Sequence, residues 1–214
     1  MGNTKAIGVA YSDQDLYGST ITDPSFILSG LAAASSPLAN SDTLPVVQGS
    51  VTKRTTVGGL FTALNYGMFQ HNQTITSGGA TTANLFPLDT TDFTNGISVA
   101  DGSKITITTG GVYNIQFSAQ LYRSGGGTGF STVEIWLSKN GTNIPDTNGQ
   151  MNVPQSGGKA MAAWNYLVQA NAGDYFQLYW SSTDAALEIL YAGAGTNPTR
   201  PVTPSIIVTV TQVG

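Results

Sequence analysis

With 214 residues and no cysteine, the chain can hold one β-domain plus an attachment segment, but neither a disulfide nor a thiolate metal site. A net charge of −4 and a pI near 4.6 argue against nucleic-acid binding, which needs clustered Lys and Arg; the only adjacent basic pair is Lys53-Arg54. Charged residues make up 9% of the chain, against about 25% in ordinary domains, so it is polar without the charge excess of a disordered tail.

The opening stretch MGNTKAIGVAYSDQD has no sustained apolar core, so no Sec leader is expected. No apolar run approaches the roughly 20 residues of a membrane-spanning helix, and membrane insertion is not expected either. Residues 1–41 read as an irregular arm, broken by Pro24, Pro37 and several Gly, with a short helix over residues 25–38. Residues 42–65 read as a small adaptor. It has a strand at Thr43–Gln48, a turn at Gly49-Ser50, a strand at Val51–Thr56 and a helical turn at Val57–Leu64. Strands this short need a partner surface. Val46, Val47, Lys53 and Arg54 are therefore candidate docking residues.

From Tyr66 to Gly214 the pattern changes to short alternating runs punctuated by Gly, Asn and Asp, as in an all-β sandwich or barrel. The runs fall at Lys104–Thr109, Val112–Tyr122, Thr132–Ser138, Lys159–Ala170, Tyr175–Ser181, Leu187–Tyr191 and Ser205–Val213. Val133, Ile135 and Leu137 share one face of their run, with Glu134 and Trp136 on the other. Phe176, Leu178 and Trp180 read as a core face, which leaves Tyr175, Gln177, Tyr179 and Ser181 outward. Asn140-Gly141 is a strong hairpin signal. Ser124 to Gly129, with Gly125, Gly126 and Gly127 at its centre, reads as an exposed flexible hairpin loop. It lacks the Lys-Ser/Thr and the helix of a phosphate loop.

The spacing Gly111-Val112-Tyr113-Asn114-Ile115-Gln116-Phe117, followed by Ala172-Gly173-Asp174-Tyr175-Phe176-Gln177-Leu178, resembles the C1q/TNF-like jelly-roll family over roughly residues 66–214. In place of the family's aromatic-glycine final strand stands Ile206–Thr211, and no collagen-like stalk is present. Asp42, Pro45, Val46, Gln48, Gly49, Thr52, Lys53, Arg54, Thr56 and Leu60 make segment 42–64 similar to a short module of bacteriophage tail-fibre and other virion proteins. These resemblances imply an antiparallel jelly-roll β-sandwich behind an irregular arm that carries a short hairpin and helix. They also imply a bacteriophage virion location, docking to capsid or tail proteins, and homotrimer assembly.

Catalytic readings fare poorly. His71 is the only histidine, and no G-x-S-x-G elbow accompanies it. A glycosidase needs two carboxylates on one cleft, and the two Glu residues, Glu134 and Glu188, both lie on predicted strands. No cofactor or metal is expected. The outward tyrosines, Tyr175 and Tyr179, together with Tyr113, are candidate subunit-contact residues, because Tyr is enriched in buried interfaces. Carbohydrate binding is the second reading of that face. The expectation is a non-enzymatic, trimeric capsid decoration or fibre protein. The alternative is a receptor- or carbohydrate-binding module, with a host-surface glycan as a further partner.

Overall fold

The computed structural model describes residues 38–39, 41–48, 51–60, 64–125 and 127–214. The chain divides into two compact units, Met1–Ala63 and Leu64–Gly214. The helix expected over residues 25–38 falls, apart from Leu38, outside the described residues.

In the first unit, β1 (Thr43–Gln48) and β2 (Val51–Thr56) pair antiparallel from Thr43↔Thr56 to Gln48↔Val51. They lead into the single turn α1 (Val57–Leu60). Asp42 closes the open end. Its carbonyl accepts the Val57 amide at 2.7 Å, and its carboxylate accepts the Ala39 amide at 2.8 Å.

The second unit is all-β. Its strands are β3 (Tyr66–His71), β4 (Ile75–Thr76), β5 (Asn84–Leu85), β6 (Thr90–Asn95), β7 (Ile97–Ala100), β8 (Lys104–Ile107), β9 (Gly111–Arg123) and β10 (Ser131–Lys139). There follow β11 (Thr142–Asn143), β12 (Gly149–Val153), β13 (Lys159–Ala170), β14 (Tyr175–Ser182), β15 (Leu187–Ile189), β16 (Gly195–Thr196), β17 (Thr199–Arg200) and β18 (Ile206–Gln212). One seven-stranded sheet runs β4-β15-β9-β18-β3-β6, with β13 also on β9. The other runs β11-β10-β14-β8-β7, with β12 on β10 and β5 on β14. All pairings in both sheets are antiparallel.

Alternation places the core. Ile115, Phe117, Ala119 and Leu121 of β9 and Ile206, Val208 and Val210 of β18 are buried from one sheet; Val133, Ile135 and Leu137 of β10 and Phe176, Leu178 and Trp180 of β14 are buried from the other. They form one continuous cluster. Each such aliphatic or aromatic side chain contributes about 1.5–3 kcal/mol by leaving water.

The Asn140-Gly141 turn forms as expected. Both residues have positive φ (52° and 79°), which two-residue hairpin turns of this twist require, and Lys139 pairs with Thr142. Bonds to the turn before β14 hold it in place, among them the Asn140 amide donating to the Tyr175 carbonyl at 2.9 Å. Lys139 Nζ lies 2.7 Å from Asp174 Oδ2, Asn140 Nδ2 donates to Asp174 Oδ1 at 2.7 Å, and the Tyr175 amide donates to Asn140 Oδ1 at 2.9 Å.

The glycine-rich loop is a correction. It does not close a hairpin, because β9 and β10 belong to different sheets. β9 bonds β13, β15 and β18, and β10 bonds β14, β12 and β11, so the loop carries the chain across from one layer to the other. Arg123 anchors its start. The buried guanidinium donates from Nε to Asp184 Oδ2 at 2.7 Å and from Nη1 to the Gly129 carbonyl.

Candidate functional site

His71 sits at the end of β3 with its Nδ1 3.0 Å from Asp89 Oδ2. Ser205 offers no nucleophile pair, because its hydroxyl donates to the His71 main-chain oxygen and not to the ring. Glu134 and Glu188 point outward from different sheets, since each is flanked by buried residues on its own strand. They therefore lie on opposite sides of the core and cannot flank one glycosidic bond. Among the described residues no group of three or more His, Asp or Glu side chains gathers to hold a metal ion.

The tyrosines separate. Tyr113 is a correction to the expected contact set, because its side chain is wholly inside the core. Its hydroxyl donates to the Thr109 carbonyl at 2.6 Å and accepts from Asn65 Nδ2 at 3.0 Å, which satisfies the polar tip without water. Tyr175 and Tyr179 face outward from β14 and are half-buried. Lys104 Nζ lies 5.0 Å from the centre of the Tyr175 ring. Tyr179 stacks on Trp136, with ring centres 5.7 Å apart and planes 11° apart.

That stack borders an open surface cavity, as shallow as the depression on the other sheet, of about 290 Å³ and lined by Glu134, Trp136, Asn143, Ile144, Asp146 and Asn148. Two strands and a turn build it. β10 supplies Glu134 and Trp136, β11 supplies Asn143, and the segment before β12 supplies the rest. Trp136 Nε1 donates to Asn143 Oδ1 at 3.0 Å, which fixes both side chains. Gln150 Nε2 donates to Glu134 Oε1, which fixes the carboxylate. The sequence marks Trp136 and Glu134 as outward by alternation. It gives no signal that Asp146 and Asn148, beyond the Asn140-Gly141 turn, come back to meet them.

The outer face of the other sheet is different in kind. Its middle, with Asn114, Gln116, Ser118 and Gln120 of β9, Met161 to Gln169 of β13 and Ile207 to Thr211 of β18, carries no charge; Lys159 of β13 and Glu188 of β15 stand at one end, both opposite Tyr122. Met161 is 58% exposed and Leu167 67%. A shallow depression of about 370 Å³ lies between them, over Gln116, Ser118, Ala163, Asn165, Ile207 and Thr209. Asn165 Nδ2 donates to Asn114 Oδ1 at 2.9 Å across the β9–β13 pair.

In the first unit, Val46 pairs with Lys53, Pro45 with Arg54, and Val47 with Thr52. Lys53 and Arg54 are exposed, and Lys53 Nζ donates to Gln48 Oε1 at 3.0 Å. The side chain of Val47 lies outside the described residues. In the crossover loop, Gly127 is exposed and Gly125 half-buried, while Gly126 is outside the described residues.

No protein-family model matches the chain, and no curated protein matches it.

Proposed function

We propose that the chain is a non-enzymatic structural protein of a bacteriophage virion, a homotrimer with a jelly-roll head over residues 66–214 and a docking segment over residues 1–65. A jelly roll is a long hairpin of eight strands rolled into two layers, so its first strand pairs with its eighth, second with seventh, third with sixth and fourth with fifth. The pairings β3·β18, β8·β14, β9·β13 and β10·β12 follow that scheme and support the reading. Lys53, Arg54, Val46 and Val47 remain the proposed docking residues on the short hairpin.

The observation that carries self-assembly is the uncharged middle of the outer face of β13, β9 and β18, between Met161 and Leu167, with Lys159 and Glu188 at one end of it. A ring of three joins one patch to a different patch of the next copy, and a surface without charge can be buried there with no ion to desolvate. Amides and hydroxyls both donate and accept, so such a face can satisfy itself, while Met161 and Leu167 supply apolar area. The Tyr175–Tyr179 face is less suited to this contact, because Lys104, Glu134 and Asp146 lie beside the tyrosines and Tyr179 is already stacked.

Light scattering behind a sizing column tests the assembly. Three copies of a 22.2 kDa chain give a particle of about 66.6 kDa. Leu167→Glu is expected to reduce it to the single-chain mass with the fold retained, and Tyr175→Glu to leave it trimeric. A wild-type monomer would remove the proposal. The virion location is tested by mass spectrometry of washed phage particles, where the chain is expected at a copy number divisible by three.

A further inference from the structure

We propose that the cavity beside Trp136 is a subsite for one neutral pyranose ring of a glycan. Ligand sites pair apolar, aromatic walls with a few fixed polar groups, and drug-sized sites occupy about 300–1,000 Å³. At about 290 Å³, this cavity has room for a single sugar ring. A pyranose has a face of C–H groups and a rim of hydroxyls. It therefore asks for a flat ring beneath it and paired donors and acceptors at its edge.

Both are present and held in place. Trp136 lines the cavity, and Tyr179 does not. Trp136 is half-buried, with the Tyr179 ring near-parallel to it, and the part of the indole that lines the cavity is what a ligand would meet. The indole N–H is committed to Asn143 Oδ1, which leaves the Asn143 Nδ2 group as a donor. Gln150 occupies Glu134 Oε1, which leaves Oε2 as an acceptor. A donor and an acceptor held by bonds of their own can each serve a sugar hydroxyl, and preorganisation of this kind lowers the cost of binding.

Charge selects the class of sugar. Glu134 and Asp146 both line the cavity and no Lys or Arg does, so uronic and sialic acids are repelled. A quaternary ammonium would want several aromatic faces around it. Here Trp136 is the one aromatic residue lining the cavity. The reading does not rest on the virion or trimer proposal. Those would raise its usefulness, because three weak subsites on one particle gain avidity of about 10² or more.

Saturation-transfer NMR and calorimetric titration of the full chain test it, with the methyl glycosides of glucose and galactose and with N-acetylglucosamine. Glucuronate and choline serve as counter-probes. At least one neutral sugar is expected to bind near millimolar, about tenfold tighter than glucuronate. Trp136→Ala is expected to weaken it by about tenfold or more, and Trp136→Phe to restore part of the loss. Glu134→Gln should narrow the discrimination against glucuronate. If Trp136→Ala lowers the unfolding temperature, Asn148→Ala and Asp146→Asn in the exposed turn replace it, each expected to weaken binding. The proposal is overturned if no neutral sugar binds, if these variants bind as tightly as the wild type, or if choline binds best. Release of new reducing ends from a bound oligosaccharide would also overturn it, in favour of hydrolysis.

Discussion

Replacing Asp184 by Ala removes the partner of a guanidinium that has little else. Arg123 is 6% exposed; Asp184 Oδ2 meets its Nε at 2.7 Å and its Nη2 at 2.6 Å, and only the Gly129 carbonyl would remain. Breaking one side of a buried ion pair costs about 3–5 kcal/mol. The Asp184 side chain is 23% exposed, so water can enter the vacated space, and about 2–3 kcal/mol is the expected loss. The converse change, Arg123→Met, keeps the apolar stem. It leaves Asp184 in contact with water and with the Ala186 amide at 2.9 Å, so about 1–2 kcal/mol is expected. The double variant has no stranded charge and should be more stable than the two single losses predict when added, by about 1–2 kcal/mol. Urea unfolding of the four proteins measures this, with an unchanged slope showing that the unfolded states are comparable. Losses that add within about 0.5 kcal/mol would refute the claim that this pair, acting as a unit, fastens the crossover to the β14–β15 turn.

Two further outcomes follow from single side chains. Tyr113→Phe leaves Asn65 Nδ2 without its partner in the core, while the Thr109 carbonyl at the exposed rim can turn to water, so a stability loss of about 1–2 kcal/mol is expected in urea unfolding, with no change of particle mass. Dissociation without loss of stability would return Tyr113 to an interface. The Asp174 carboxyl is held down at about 2 by the Lys139 ammonium, then by the Asn171 amide and Asn140. Because that lies below its unfolded value of 3.8, its stabilisation is complete above that value and fades as pH falls toward 2. The gap in unfolding temperature between the wild type and Asp174→Ala should therefore narrow over that interval, and a gap that stays constant from pH 5 to pH 2 would contradict the assignment.

Period-two alternation is local, and what it controls was legible. The bounds Lys159–Ala170, the inward faces of β9, β10 and β14, and the Asn140-Gly141 turn can all be read from neighbouring residues. Alternation assigns a face but not a partner. β9 and β10 stand close in sequence across a glycine-rich loop and look like a hairpin. The ladder positions beside β9 are instead taken by β13, β18 and β15, from more distant parts of the chain. Tyr113 has the same ambiguity on the scale of one side chain. Its ring belongs with the core residues of its strand, and only the arrival of Asn65 and Thr109 lets its hydroxyl be buried as well. Glu134 and Asp146 show it again, because their common cavity depends on how the chain returns after β11. The sequence by itself settled most strand faces, since each depends on residue type and a two-residue repeat; Gln177, expected outward, is instead buried and donates to the Ser103 hydroxyl at 2.8 Å. Which strands meet, and therefore which side chains share a pocket, was decided only by closure of the two sheets over one core. That closure selects among ladders that are chemically alike.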